Sequence, residues 1–222
     1  MLLKDKLQIY TLSVVLIGDF NPVIFQPAWL ASKGLVRENE ADKVEMELIH
    51  KELVRYNFDW AKFEINQNRF EIRTSQEPYF EAVRDLIVGI FKKHLKETPI
   101  TALGLNHIKH YQLSSEQYYD FGNTLSPLAN WKDSFRDPKL FQLEMLDSKR
   151  ADDKEGYLRV KVSVSDEITT NAVSININDH YGLSKDSKGR SGEIISILED
   201  NWDNSFALSD SISENLWKKI RP

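Results

Sequence analysis

Cysteine is absent from this chain of 222 residues. A disulfide framework, a thiol nucleophile, an iron–sulfur cluster and any cysteine-ligated zinc are therefore excluded. A long apolar run is also missing, because the most apolar early stretch, Val14 to Ile17, ends at Gly18-Asp19 and is far shorter than a membrane span or a signal peptide. We expect a cytoplasmic protein without a membrane partner.

Basic residues do not dominate the composition. The 29 Lys and Arg residues are outnumbered by 34 Asp and Glu residues, which gives a formal net charge of -5. Such a chain has no general attraction to phosphate backbones, so the composition disfavours a nucleic-acid partner and suits a protein partner better. Because 41% of the residues are hydrophobic, we expect one compact globular domain over residues 1–222.

Local signatures of catalysis are missing as well. The sequence holds no HExxH zinc motif, no Walker or GxGxxG phosphate loop and no GxSxG nucleophile elbow. Its carboxylates are scattered, so spacing identifies no acid–base pair and no catalytic residue. We therefore favour a protein that is not an enzyme and needs no cofactor, and we leave open an active site assembled from distant residues.

His107 and His110 are the only close histidine pair. Residues three apart on a strand point to opposite faces, so both cannot bind one metal ion, and we expect no metal site. The stretch from Gly182 to Gly192 holds three glycines and three basic residues but lacks the spacing of a phosphate loop. We interpret it as a flexible, solvated loop.

Hydrophobic periodicity predicts a similar order of elements twice. In the first half it predicts a strand over Leu7 to Phe20, a short helix over Pro27 to Leu35, strands over Leu48 to Tyr56, Phe58 to Asn66 and around Phe70 to Ile72, and a long helix from Ser75 to Lys96. In the second half it predicts a strand over Ile100 to Tyr111, a short helix from Ser114 to Phe121, strands over Leu140 to Leu146, Tyr157 to Val164 and Ala172 to Ile177, a helix over Glu193 to Trp202 and a last turn or two from Ser209 to Trp217.

This order predicts an α+β fold made of two tandem β-α-βββ-α units, with pseudo-repeats at residues 1–98 and 99–222. The units would share one curved, largely antiparallel sheet with helices packed on one face, because joining them at their first strands removes two open edges. A chance recurrence of the element order is the alternative. In element order alone, the outline is similar to the TATA-binding-protein-like and helix-grip folds, which says little about activity.

Three local patterns extend over nearly the whole chain. They are the apolar strand Val14 to Phe20, the mid-chain strand Leu103 to His110, and the helix Ile194 to Trp202 followed by Asn204-Ser205-Phe206. Together they resemble a sporadically distributed, uncharacterised bacterial protein family. The mid-chain strand departs from the Arg-Tyr-Ile-Asn-Arg pattern that is typical of that family. The resemblance implies a bacterial, often mobile-element or defence-like setting and supplies no catalytic residues.

Two groups of large apolar residues need an explanation. An aromatic cluster is formed by Tyr118, Tyr119, Phe121, Trp131, Phe135 and Phe141. We interpret it as core beneath a long loop rather than as a ligand cage. A C-terminal group is formed by Trp202, Phe206, Leu208, Ile212, Leu216 and Trp217. Because burying each such side chain stabilises a protein by roughly 1.5–3 kcal/mol, we expect this segment to be part of the core or an oligomer contact.

The alternating strands place a second set of side chains on the face opposite the apolar one. This set is polar and mixed in charge, and it supplies our candidate binding residues: Arg69, Arg73, Tyr157, Arg159, Lys161 and Asn176. An ordinary solvated sheet face is one interpretation of the pattern, and a platform for a protein partner or a small polar ligand is the other.

The functional expectation is a non-catalytic binding protein, such as a defence, immunity or toxin-neutralising component that acts through a protein partner. The alternative is a small-ligand-binding or hydrolytic domain with a pocket between the sheet and the long helices. The sequence leaves homo-oligomerisation open.

Overall fold

The fold is α+β, with one nine-stranded antiparallel sheet in the order β2-β3-β4-β5-β1-β6-β9-β8-β7. A computed structural model describes residues 2–183 and 191–220. The strands are β1 (Leu7–Gly18), β2 (Glu45–His50), β3 (Leu53–Phe58), β4 (Ala61–Asn66), β5 (Arg69–Thr74), β6 (Ile100–Gln112), β7 (Gln142–Asp147), β8 (Gly156–Val164) and β9 (Ala172–Gly182). The α-helices of these ranges are α1 (Pro27–Ser32), α2 (Glu38–Ala41), α3 (Phe80–Val88), α4 (Ser115–Leu125) and α5 (Ser191–Lys218).

Strands β1 and β6 form the centre of the sheet. They pair over almost their whole length, with Leu12 opposite His107 and Val14 opposite Leu105. The run from Thr11 to Leu16 is buried throughout, because neighbouring strands flank β1 on both sides. The two strands agree with the predicted elements within two residues at every end.

The first half contains four strands after β1, where the sequence predicted three. The predicted strand over Leu48 to Tyr56 is wrong: the chain reverses at Lys51-Glu52 and forms the outer hairpin of β2 and β3. Two polar residues between apolar runs provide that turn. β2 is exposed along its entire length, since it is the edge strand.

The second half follows the predicted order of strand, short helix, three strands and long helix. The last helix is longer than predicted, because α5 is continuous where the sequence predicted two pieces. Ser205, Ser209 and Ser213 recur every four residues on its buried face, and side chains of this size let the helix lie close to the sheet. The C-terminal apolar segment is thereby part of the core, with Trp202 and Trp217 both 2% exposed.

All the large helices pack against one face of the sheet. Leu12, Val14 and Leu16 of β1 share a core with buried side chains of α3 and α5. On the second half of the same face, Ile175 and Ile177 of β9 pack with Phe121 of α4 and Trp217 of α5. No helix of this core lies on the other face of the central strands in the described residues. Asn106, Asn176 and Asn178 are partly exposed on that face, whereas Ser13 is buried.

The aromatic cluster is not the core that the sequence predicted. Phe121 is buried, whereas Trp131 is 48% exposed, Phe135 55% and Phe141 78%. The segment between α4 and β7 lies at the outer end of the sheet, where β7 is an edge strand and offers few neighbours. The predicted flexible loop at Gly182 to Gly192 lies largely outside the described residues.

Candidate binding groove on the open sheet face

A row of hydrogen-bonding side chains crosses five strands on the face without helices. The pairing register places neighbouring members directly opposite one another, and from β5 to β8 the members are Arg73, Ser13, Asn106, Asn178 and Arg159. We call this set the cross-strand row. Strands lie about 4.8 Å apart, so the row extends over about 19 Å. Two arginines end it and two amides lie between them.

A groove of about 360 Å³ lies along this row. We call it the open-face groove; its lining residues are Ser13, Val15, Ile17, Arg69, Glu71, Gly104, Asn106, Ile108, Tyr157, Arg159, Asn176, Asn178 and His180. Gly104 forms its floor. A Cβ atom built there would lie 3.6 Å from Asn106 Nδ2 and 3.7 Å from Asn178 Oδ1, so the missing side chain leaves a depression bordered by two amides.

The wall contributed by β5 is an ion pair held in place by β1. Arg69 Nη2 lies 2.7 Å from Glu71 Oε2, and the Ser13 hydroxyl donates a 2.5 Å hydrogen bond to Glu71 Oε1. Both oxygens of the Glu71 carboxylate are thus engaged. This wall therefore carries a positive charge, on Arg69, next to a fixed negative charge, on Glu71, rather than charges of a single sign.

The opposite wall combines an aromatic pair with a second ion pair. The rings of Tyr157 and His180 stack with centroids 4.3 Å apart and an angle of 14° between their planes. Burial, together with the positive charges of Arg150 and Arg159, lowers the pKa of His180, so the ring is neutral at neutral pH. Arg159 lies 3.3 Å from Glu144 on the edge strand β7.

The amides at the centre of the groove retain hydrogen-bonding capacity. Asn106 Nδ2 donates to the backbone oxygen of Ser13 at 3.2 Å, while Asn178 Oδ1 is enclosed and has no hydrogen-bond partner among residues 2–183 and 191–220. An unsatisfied carbonyl of this kind costs about 1–3 kcal/mol, and rotation of the amide would offer either its donor or its acceptor to a ligand. Both hydrogen-bond donors and hydrogen-bond acceptors therefore line the groove, which suits the binding of a polar group.

The structure brings four of the six predicted binding residues into the open-face groove: Arg69, Tyr157, Arg159 and Asn176. Arg73 lies on the same face at one end of the cross-strand row, where it borders neighbouring depressions with Lys62. Lys161 pairs with Asn176 between β8 and β9 but does not line the groove.

Sequence reasoning missed five important groove residues: Ser13, Gly104, Asn106, Asn178 and His180. The predicted strand ended at Ile177, whereas β9 continues to Gly182. The alternation of Asn176, Asn178 and His180 was the signal that could have found the last two. Ser13 lies in a strand that reads as apolar on both faces, and Asn106 lies in one with polar residues on both faces, so alternation gave little indication of their orientation.

His107 and His110 point to opposite faces of β6. His107 faces α5, where its Nδ1 lies 2.7 Å from the Tyr10 hydroxyl and its Nε2 lies 3.0 Å from Ser205 Oγ. Burial lowers the pKa of His107 to about 3. His110 lies on the other face, with Nδ1 2.9 Å from Ser165 Oγ. Residues 2–183 and 191–220 contain no group of three or more His, Asp or Glu side chains placed to hold a metal ion.

Side chains fill the interface between the central strands and α5. Lys109 is almost completely buried there, with its ammonium group 2.6 Å from Asp210 Oδ1 and 4.8 Å from the centre of the Tyr10 ring. The His107 ring contacts Phe206 at 4.7 Å between centroids. These contacts occupy the region in which a pocket between the sheet and the long helix would lie.

Comparison with known proteins adds no identification at this point. No protein-family model matches the chain, and no curated protein matches it significantly. None of the helices in the described part of the chain is both long and apolar enough to cross a membrane.

Proposed function

We propose that this protein is a non-catalytic binding protein that recognises a protein partner through the open face of its sheet. The cross-strand row is the observation that carries this proposal. Its amide and guanidinium groups lie on adjacent strands, and a polypeptide supplies both hydrogen-bond donors and acceptors that can pair with them.

The charge pattern supports a protein partner over a nucleic acid. Arg69 lies beside Glu71, and Arg159 beside Glu144, so each cation of the groove walls already has a carboxylate neighbour. Phosphate backbones bind best to surfaces with an excess of positive charge. A mixed surface instead favours a partner whose own charges and amides are complementary.

The depression at Gly104 supports a specific contact within this broad face. A groove of about 360 Å³ accepts a side chain, and such central, enclosed positions contribute most to the binding energy of many interfaces. A hydrogen bond donated by the partner to the Asn178 amide would satisfy its enclosed oxygen. We expect this position to be more sensitive to substitution than the exposed ion pairs around it.

The experiment is affinity capture from the native host followed by binding measurements with the purified partner. Asn178→Asp and Gly104→Ala should each weaken binding at least tenfold. Asn215→Asp is the matched control, because it makes the same chemical change at an exposed position of α5. A partner that binds the Asn178 and Gly104 variants as tightly as the unmodified protein would refute the groove as its binding site.

We propose as well that residues 1–98 and 99–222 are pseudo-repeats. From the centre of the sheet, the strands run outward as β1-β5-β4-β3 in one direction and as β6-β9-β8-β7 in the other. In both series the first strand lies at the centre and the later strands follow in descending chain order. The additional strand β2 departs from a strict repeat. Superposition of the two backbones tests the proposal, and long helices that do not coincide would argue against it.

The defence, immunity or toxin-neutralising setting is implied only by the resemblance to the bacterial family and stays a prediction, as do cytoplasmic location and homo-oligomerisation. The alternative function, binding of a small ligand, is favoured by a separate pocket beneath α4.

A further inference from the structure

A partly enclosed apolar pocket lies between α4 and the outer strands, on the helix-bearing face. We call it the α4 pocket; it is lined by Ser115, Tyr118, Tyr119, Phe121, Gly122, Leu128, Lys139, Leu140, Val162, Ser163, Val164, Asn171 and Val173. Its volume is about 330 Å³. An apolar cavity of about 150 Å³ is large enough for one benzene molecule, so this pocket has room for a body of about two rings.

The walls of the α4 pocket are rigid elements rather than loop tips alone. Tyr118 and Phe121 on one turn of α4 face Val162 and Val173 on the adjacent strands β8 and β9. The floor is tight at Gly122, where a Cβ atom would lie 3.2 Å from Leu140 Cβ. This close approach places α4 directly against the segment before β7.

The mouth of the pocket exposes apolar surface that a ligand would cover. Tyr119 is 43% exposed and Val164 39%, and Phe141, which follows the lining residue Leu140, is the most exposed large hydrophobic side chain in the described ranges. Apolar side chains that cluster around a cavity are typical of small-molecule sites. Three of the six aromatic residues that the sequence predicted as core, Tyr118, Tyr119 and Phe121, thus line a pocket.

One cationic side chain lines this otherwise uncharged pocket. Lys139 Nζ lies 2.8 Å from Asp137 Oδ2, and both side chains are more than half exposed. An ion pair with this exposure is screened by water and weak, so the carboxylate of a ligand can replace Asp137 at little cost. The amine is protonated at neutral pH, because its ordinary pKa is 10.5 and the hydrogen bond to Asp137 raises that pKa further.

We propose that the α4 pocket binds a small amphipathic carboxylate, with its apolar body between Tyr118 and Val162 and its carboxylate at Lys139. The apolar walls select a body of about two rings, and the lysine selects the negative charge. The site lies on the opposite side of the sheet from the open-face groove, so it does not depend on the function proposed for that groove.

The probe for this site is 2-naphthoate, a two-ring aromatic carboxylate, with neutral 2-naphthamide for comparison. Calorimetric titration of the full-length protein should show saturable binding of 2-naphthoate, about two- to five-fold tighter than that of 2-naphthamide, as expected for one exposed charge pair. Lys139→Met should remove this preference while both compounds still bind. Lys149→Met, an exposed lysine outside the pocket, is the matched control and should keep the preference.

A second variant and a direct observation test where the probe binds. Val164→Trp, at the partly exposed rim, should fill the cavity and abolish binding of both compounds. In the unmodified protein, methyl NMR signals of Val162, Val164 and Leu140 should shift with 2-naphthoate, which locates the probe even if the Val164 variant fails to fold. Absence of saturable binding, shifts confined to other methyl groups, or an unchanged preference in the Lys139 variant would each overturn the proposal.

Discussion

Asp210→Asn tests how the protein tolerates a buried lysine at the centre of its core. Lys109 has a side chain only 2% exposed, whereas the Asp210 carboxylate that accepts its hydrogen bond is 73% exposed. Burial lowers the pKa of Lys109, and Asp210, Glu77 and Glu214 oppose that effect. Removing the nearest of these charges leaves a protonated amine with a weaker acceptor in a region that excludes water.

The magnitude follows from the geometry. A hydrogen bond to a charged group contributes about 1.5–3 kcal/mol, and the exposure of Asp210 places this one toward the lower end, at about 1.5–2 kcal/mol. For a chain of this size, that loss corresponds to a decrease of about 3–8 °C in Tm. Asp203→Asn removes the same charge from an exposed position of α5 and should change stability by less than about 0.5 kcal/mol.

The pH dependence distinguishes this mechanism from a loss of helix packing. Because the folded-state pKa of Lys109 lies below its ordinary value of 10.5, the unfolded chain binds more protons between the two values, and stability rises with pH across that window. Asp210→Asn lowers the folded-state pKa further. The stability difference between the two proteins should therefore be greatest near pH 7 and shrink toward pH 10, where a neutral amine needs no counter-charge.

Urea denaturation followed by tryptophan fluorescence at pH 7, 8, 9 and 10 measures these differences. Lys109→Met provides a further comparison, because an apolar side chain of similar length removes the buried charge altogether. It should destabilise the protein less than Asp210→Asn does. A loss no greater than that of Asp203→Asn, or a difference that stays constant with pH, would refute the reasoning.

Three other predictions concern the sheet, the core histidine and the last helix. Gly18→Ala should lower the unfolding free energy by more than about 2 kcal/mol, because its Cβ would lie 2.2 Å from the Pro99 oxygen. Gly104→Ala should melt within a few degrees of the unmodified protein, because the atom nearest to its Cβ would be 3.6 Å away. Because the pKa of His107 in the folded protein is about 3, the unfolded chain binds one more proton than the folded protein below pH 6.5, and stability falls as the pH is lowered. His107→Gln should reduce this loss of stability between pH 6.5 and 4.5 by about 2 kcal/mol, measured by urea denaturation. Truncation after Asn215 removes buried Trp217 and should cost at least about 3 kcal/mol without abolishing the fold, whereas truncation after Ser191 should give an insoluble or molten chain by solubility and circular dichroism. A stable, cooperatively melting fragment of residues 1–191 would contradict the role of α5 in the core.

Periodicity in the sequence determined the elements whose pattern is local. The alternation in Tyr157 to Val164 and Ala172 to Ile177 defined two strands and showed which of their side chains share the polar face. That alternation was enough to place Tyr157, Arg159 and Asn176 on the polar face, and the alternation of β5 did the same for Arg69. The orientation of a side chain on a strand depends only on its position along that strand.

Tertiary structure alone decided which residues meet. Ser13 and Asn106 are 93 positions apart and become neighbours only when β1 pairs with β6, and Asn178 joins them only when β9 pairs with β6. No local pattern encodes that order of strands. The strand order forms because both halves of the chain bury their apolar faces in a shared core, and the formation of that core depends on the whole chain.

The interpretation of the aromatic cluster as core was wrong for the same reason: the sequence does not show which residues the fold brings together. Hydrophobicity predicts that Phe121 and Phe141 prefer burial, but whether each is buried depends on the neighbours that the fold provides. Phe121 lies beneath α4 against β8 and β9 and is covered, whereas Phe141 precedes an edge strand with no further strand beyond it. Sequence determined the tendency of each residue to be buried, and the position of β7 at the edge of the sheet decided which of them remain exposed around a pocket.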